Sequence, residues 1–182
     1  KEGAVDLRHI NEEDFDDPLG ESTGAGVIFG STGGVLEAAL RTVYEKTTGK
    51  KLEDVNFTAV RGMNGIREAS IQINGRTVKV AALSGLGNAR KVLEKIEKGE
   101  SQYDIIEIMA CPGGCVNGGG QPYSNEREEI IEKRIRGLYH LDRNLPVRKS
   151  HENPSIQKLY QEFLGEAGSH KAHELLHTDR KW

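Results

Sequence analysis

Apolar residues recur along the chain in two periods, and the switches between them divide it into elements. Ala25 to Phe29 is a short apolar run. Gly30-Ser31-Thr32-Gly33-Gly34 follows, and then Leu36, Ala39, Leu40 and Val43 recur at helical spacing up to Gly49. The pattern predicts a strand, a tight glycine turn and a helix. Val55–Val60 predicts another strand. Ile71 and Ile73 alternate with polar neighbours, Asn74-Gly75 is a turn dipeptide, and Val78, Val80 and Ala82 alternate again. A hairpin across Ala69 to Leu83 is the natural reading. Ala89, Val92, Leu93 and Ile96 mark a helix stopped near Gly99. Tyr103 to Met109 is mostly apolar and β-branched, as in a strand of a sheet buried on both faces.

Further on, Asn125 and Glu128 have the spacing of a capping box that opens a helix to about Leu141. Leu145–Pro154 reads as a connection. Two short helices follow, one carrying Ile156, Leu159, Tyr160 and Phe163 before Gly165, the other opening at Ser169. Residues 11–22 are acidic and turn-rich (Asp16, Asp17, Pro18, Gly20). Lys1–Ile10 reads like the tail of a helix entered midway and carries no signal peptide, so an upstream region is expected. No internal repeat is present. The expected architecture is α/β: a linker over residues 1–22, a lobe over 23–141 with a mixed, partly parallel sheet flanked by helices, and a helical C-terminal extension over 142–182.

Composition narrows the function classes. The 182 residues suit one ordinary domain or two small lobes. No run of 18 apolar residues occurs, which argues against a membrane-spanning helix. A net charge of −3, with lysines and arginines scattered among acids, gives no footprint for nucleic acid. The 22 glycines gather in loops. Two cysteines, four positions apart, are too few for a disulfide framework and point to a reducing compartment such as the cytoplasm, or to metal chemistry.

Those cysteines lie in the densest loop, Met109-Ala110-Cys111-Pro112-Gly113-Gly114-Cys115-Val116-Asn117-Gly118-Gly119-Gly120-Gln121-Pro122. Two thiolates separated by three residues can bind one metal centre if the backbone between them folds tightly. Gly113 and Gly114 permit such a fold and a close backbone approach. Inward N–H groups of a glycine-rich loop can also hydrogen-bond cluster sulfurs. A glycine-rich surface loop with two small buried cysteines is the plainer alternative. A redox dithiol has two intervening residues rather than three. Structural zinc takes four ligands, and an iron–sulfur cluster usually takes four cysteines. Two is half a site, so other ligands must come from other sequence or another chain.

The loop resembles the third signature motif of the FeFe (iron-only) hydrogenases, which runs Met-Ala-Cys-Pro-Gly-Gly-Cys before a Gly-Gly-Gly-Gln-Pro segment. Thr23 to Gly30 with Gly33 to Ala39 is similar to the family's second glycine-rich segment, and Ser169 to Thr178 looks like its usual ending. The resemblance covers nearly the whole chain. The family's other two motifs, one containing Cys-Cys-Pro and one Pro-Cys-Thr-Ala-Lys, are absent and would lie upstream of Lys1. What the resemblance implies is a catalytic domain's C-terminal part, carrying a 4Fe–4S cubane joined to a two-iron unit with CO, cyanide and dithiolate ligands. Cys111 would ligate the cubane. Cys115 would ligate it and bridge to the two-iron unit, which makes it the catalytic ligand. Met109 and Phe29 would line the pocket, with Gly30 allowing close backbone approach. The reaction would interconvert H2 with two protons and two electrons. Its partners would be the upstream half of the domain and electron-transfer subunits, as in multimeric NAD(P)-linked relatives. The polypeptide alone would then be inactive.

Three rival readings stand beside this one. His173-Glu174-Leu175-Leu176-His177 is a literal HExxH, which on a helix puts His173 and His177 on one face for zinc with Glu174 as general base. Only five residues follow His177, too few for a downstream third ligand, and ordinary capping or packing explains the histidines as well. Gly30-Ser31-Thr32-Gly33-Gly34 could bind phosphate at a helix N-terminus, although the full dinucleotide and Walker patterns are missing. A non-catalytic iron–sulfur relative is the third.

Overall fold

The computed structural model describes residues 6, 9–13, 21–125 and 127–178. The helix tail expected over Lys1–Ile10 and the linker over 11–22 lie largely outside the described residues. Glu126, between Asn125 and Glu128 of the expected capping box, lies outside them as well.

Asn74 and Gly75 both adopt left-handed backbone, with φ 51 and φ 76, as a two-residue hairpin turn requires. They join β1 (Ile66–Ile73) to β2 (Arg76–Ser84) in antiparallel register, Ile73 opposite Arg76. Helix α3 (Leu86–Glu97) then crosses over to β3 (Ile105–Met109), which pairs parallel to β2 with Val80 opposite Ile105 and Ser84 opposite Met109. The sheet order β1-β2-β3 is therefore mixed and partly parallel, within an α/β architecture.

Each face of the sheet is covered by one helix. Ala89 and Val92 of α3 pack on Ala81 and Leu83. On the other face, Leu36 and Leu40 of α2 (Gly34–Thr48) pack on Val80, Ala82, Ile73 and Val60. Burial on both faces, expected of β3, falls instead on β2, where Val80 to Leu83 are all 0% exposed. β3 is an edge strand with Ile108 exposed.

Two predicted strands are not strands. Gly24–Val27 is a helical turn, α1, continuing as a 3-10 turn over Ile28–Gly30. Thr23 Oγ1 accepts from Gly26 N at 3.1 Å, and Ala25 and Ile28 are buried three residues apart on one helical face. A five-residue apolar run does not distinguish these conformations by period. Val55–Val60 is irregular up to a 3-10 turn at Thr58–Val60. Its backbone is spent elsewhere: Val55 O accepts from Arg41 Nε, and Asp54 Oδ1 accepts from Asn56 N.

From Arg127 onward the regular elements are helical. α4 (Arg127–Asn144) runs three residues past Leu141; α5 (Pro154–Leu159) is capped by Asn153 and continues as a π turn over Tyr160–Leu164; α6 (His170–Leu176) is capped by Ser169. Ile131, Ile135 and Tyr139 of α4 close a separate core around Ile28 and Val116. Charges lock α4 to α2: Arg41, Glu37 and Asp142 are each 0% exposed and joined at 2.7 and 2.8 Å.

Arg41→Met is expected to cost about 3 kcal/mol in urea denaturation, the low end for a broken buried pair because Arg61 and Arg148 still contact Glu37 and Asp142. A second anchor holds the connection after α4. Glu45 accepts from Lys149 Nζ, Leu52 N and His151, all within 2.7 Å. Burial raises its pKa, yet these partners outweigh that and hold it at about 2. A depressed carboxylate stabilises above its unfolded pKa, so this contribution is lost as pH falls from about 4.5 to about 2. Thermal midpoints are expected to drop across that window in the native protein and to drop less in Glu45→Gln.

Candidate metal centre

β3 delivers the chain into the cysteine loop, and backbone contacts fix the loop's shape. Gly85 N donates to Met109 O at 2.8 Å, ending the strand. Gly114 N donates to Cys111 O at 2.9 Å, closing a turn, and Cys115–Asn117 follows as a 3-10 turn. Asn117 Nδ2 reaches back to Pro112 O at 2.9 Å, and Arg134 from α4 donates to Val116 O at 2.8 Å and Pro122 O at 3.1 Å.

Both inner glycines are obligatory. Gly113 and Gly114 have φ 83 and φ 101. A Cβ on Gly114 would stand 2.7 Å from Gly30 O and from Thr32 N, and one on Gly113 would stand 2.8 Å from Ile131. Thr32 N donates to Gly113 O at 3.0 Å. The loop is thus seated on the turn after α1, with Gly30 packed against Leu138 and Val116.

Of the sequence-predicted residues, Cys111, Cys115 and Gly30 meet in this one assembly. Cys111 is half-buried and Cys115 exposed, and both are free thiols. Met109 is half-buried at the end of β3, and Phe29 stands 44% exposed beside Gly30. For a thiolate-bound inorganic group the residues fit: two free thiols, one half-buried and one exposed, two adjacent glycines between them, and Thr32 Oγ1 buried beside the glycines with no partner. They supply half of the usual donor set.

Other candidates do not assemble. His173 and His177 have ring centroids 4.6 Å apart, but His177 has left the helix, with φ −119 and ψ 146, and the segment is exposed. Among the described residues, the one group of three metal-type ligands is Glu45, His151 and Glu152. Lys149 Nζ already sits there, 2.6 Å from Glu45 and 2.9 Å from Glu152, so the cation is the chain's own. The phosphate reading of Gly30–Gly34 fails for a similar reason. Gly33 N and Leu36 N donate to Glu107 at 2.6 and 2.7 Å, so a carboxylate already fills the N-terminus of α2. Sequence reasoning missed Glu107 and Arg134. A lone acid among Ile105, Ile106, Ile108 and Met109 was the available signal for Glu107.

The class these features define is an α/β lobe presenting a glycine-bound pair of free thiols. A family profile described as the iron-only hydrogenase large subunit, C-terminal domain, matches residues 1–119, and one described as the iron hydrogenase small subunit matches 128–179. The chain belongs to the iron-only hydrogenase family. It is 51% identical to the NADP-reducing hydrogenase subunit HndD of Solidesulfovibrio fructosivorans over 96% of its own length and 30% of that protein's. Identity to iron hydrogenase 1 of Clostridium pasteurianum is 44%, over 100% of this chain and 32% of that one. A solved variant of the FeFe-hydrogenase HydA1 of Chlamydomonas reinhardtii superposes with TM-score 0.75 at 44% identity, covering 97% of this chain and 51% of that one. A more distant match, Protein NAR1 of Arabidopsis thaliana, is 32% identical over 96% of this chain and 38% of that protein. The chain spans about a third of the length of these curated relatives.

Gly114→Ala combines a disfavoured φ with two backbone contacts at 2.7 Å. It is expected to cost at least about 2 kcal/mol in denaturant unfolding, whereas Gly119→Ala, with open space at its Cβ, should cost little.

Proposed function

We propose that this chain is the C-terminal part of an FeFe hydrogenase catalytic subunit, a reversible H2-oxidising and proton-reducing enzyme. The observation that carries the reading is the Cys111–Cys115 turn, seated by glycine backbone on Gly30 and Thr32, with Cys111 half-buried, Cys115 exposed and both thiols free. Cys111 and Cys115 would hold a 4Fe–4S cubane, and Cys115 would also link it to a two-iron unit, with two further cysteines supplied by other sequence or another chain. When bound, that cofactor supplies the redox chemistry on H2. The chain's own part is to fix two sulfurs on a rigid turn and to wall the pocket with Met109 and Phe29, whose apolar surfaces keep water out. Gly30 lets backbone approach closely. Similarity to HndD supports electron transfer to iron–sulfur or NAD(P)-linked partners. Among the described residues no helix is long and apolar enough to cross a membrane.

Similarity to the cytosolic iron-sulfur assembly component 3 of Bos taurus, 32% identical over 82% of this chain and 31% of that protein, supports a second reading, an iron–sulfur relative that acts in assembly rather than H2 turnover. The two separate on one experiment with the full-length protein, matured anaerobically. Hydrogen evolution from reduced viologen is expected, with Cys111→Ser and Cys115→Ser each losing both the cubane's electron paramagnetic signal and at least about a hundredfold of activity. Full activity in Cys115→Ser overturns the proposal, and bound iron without any H2 turnover selects the second reading. The 182-residue chain alone is expected to evolve no H2.

A further inference from the structure

The N-terminus of α2 has no cap of its own. Gly33 stands at the N-cap with φ 88 and no side chain, and a Cβ there would lie 2.0 Å from Val60 O. The cap comes from β3. Glu107 is a lone carboxylate in an otherwise apolar strand, paired with Ala82 in the sheet. One oxygen accepts from Gly33 N at 2.6 Å and the other from Leu36 N at 2.7 Å, with Val35 N contributing as well. An anion there also meets the positive end of a 15-residue helix. Burial raises the Glu107 pKa and the backbone donors counter it only in part.

The same strand continues through Met109 to Cys111, and the same turn runs back from Gly33 to Gly30 and Phe29. A second tie spans the gap further on, where Thr32 N donates to Gly113 O at 3.0 Å and Gly114 abuts Gly30 O. The strand bearing the cysteine loop therefore grips the Phe29–Leu36 segment at two points, and the first grip is Glu107.

We infer that Glu107 is a positioning residue of the metal centre: by clamping Gly33 and Leu36 to β3, it sets the Phe29–Gly30 wall in fixed relation to Cys111 and Cys115. It touches no reacting atom. The inference rests on the functional reading above and adds to it the residue that aligns the two walls of the site. Glu107→Gln keeps the size but leaves one acceptor, and its amide N–H2 faces a backbone N–H. Glu107→Asp keeps the charge and withdraws it by one methylene.

The test uses the matured full-length protein, with infrared bands of the CO and cyanide ligands as a probe of the wall and amide exchange as a probe of the clamp. Glu107→Gln is expected to speed exchange at Thr32, Gly33, Val35 and Leu36 by roughly tenfold or more. It should also shift or broaden the infrared bands at unchanged iron content, with Glu107→Asp intermediate. Val80→Ala, a cavity in the same sheet, controls for loss of stability alone. It should lower the melting temperature and leave the bands in place. Unmoved bands in both Glu107 variants, or equal movement in Val80→Ala, would overturn the inference. A native protein that never shows these bands sinks the functional reading itself, and does so before any variant is made.

Discussion

A guanidinium sealed from water needs all five of its N–H groups partnered, and Arg41 has them. Its Nε donates to Val55 O, one terminal nitrogen to Asp142 Oδ1 and Arg148 O, and the other to Glu37 Oε1 and Asp142 Oδ2. Glu37 is shared with Arg61, and Asp142 with Arg148. Burying such charges is costly unless every lone pair and proton is met, so the arrangement tolerates few alternatives. Burial raises the Asp142 pKa, but Arg41 and Arg148 more than offset it and hold the carboxylate low. The contacts fix which face of α4 meets α2 and how closely α1 approaches. A Cβ on Gly24 would fall 2.1 Å from Asp142 Oδ1.

The charge cluster reaches the thiol loop through aromatic and hydroxyl contacts. Arg61 lies 4.1 Å over the Tyr139 ring, and burial together with the Glu37 charge pushes that phenol up to about 12. Ser31 Oγ donates to Tyr139 OH at 3.4 Å, one residue from Gly30. The turn on which the cysteine loop sits is thus braced from below by α4 and from the side by Glu107. Among the described residues, the hydrogen bonds that shape the loop run through backbone, Asn117 and Arg134, and both cysteines are free thiols. A turn held by backbone on packed elements keeps its shape without help from its own side chains.

Local chemistry made part of this legible. Asn74-Gly75 demands its turn wherever it sits, Gly99 at φ 72 ends α3 as its position suggests, and Pro112-Gly113-Gly114 between two cysteines announces a tight loop. Failures came where long-range partners decide. Ala25–Phe29 has no period to separate strand from helix, and the Thr23 cap together with burial against α4 makes it helical. Val55–Val60 looks like a strand until Arg41, 14 residues earlier, claims its carbonyl. Glu107 and Arg134 act across 74 and 18 residues, at Gly33 and Val116, and no local pattern carries that information.

The two family matches, 1–119 and 128–179, meet in space more firmly than their short covalent link requires. Arg41 and Glu37 belong to the first and Asp142 to the second, as do the two sides of the Ile28–Val116–Ile131–Ile135 core. Arg134, from the second, holds Val116 O within the loop of the first. Contacts of this kind are those of a domain interior, with paired charges flanked by an apolar patch. The helical segment is therefore a structural wall of the thiol loop: it supplies the Ile131 surface against which Gly113 must remain without a side chain.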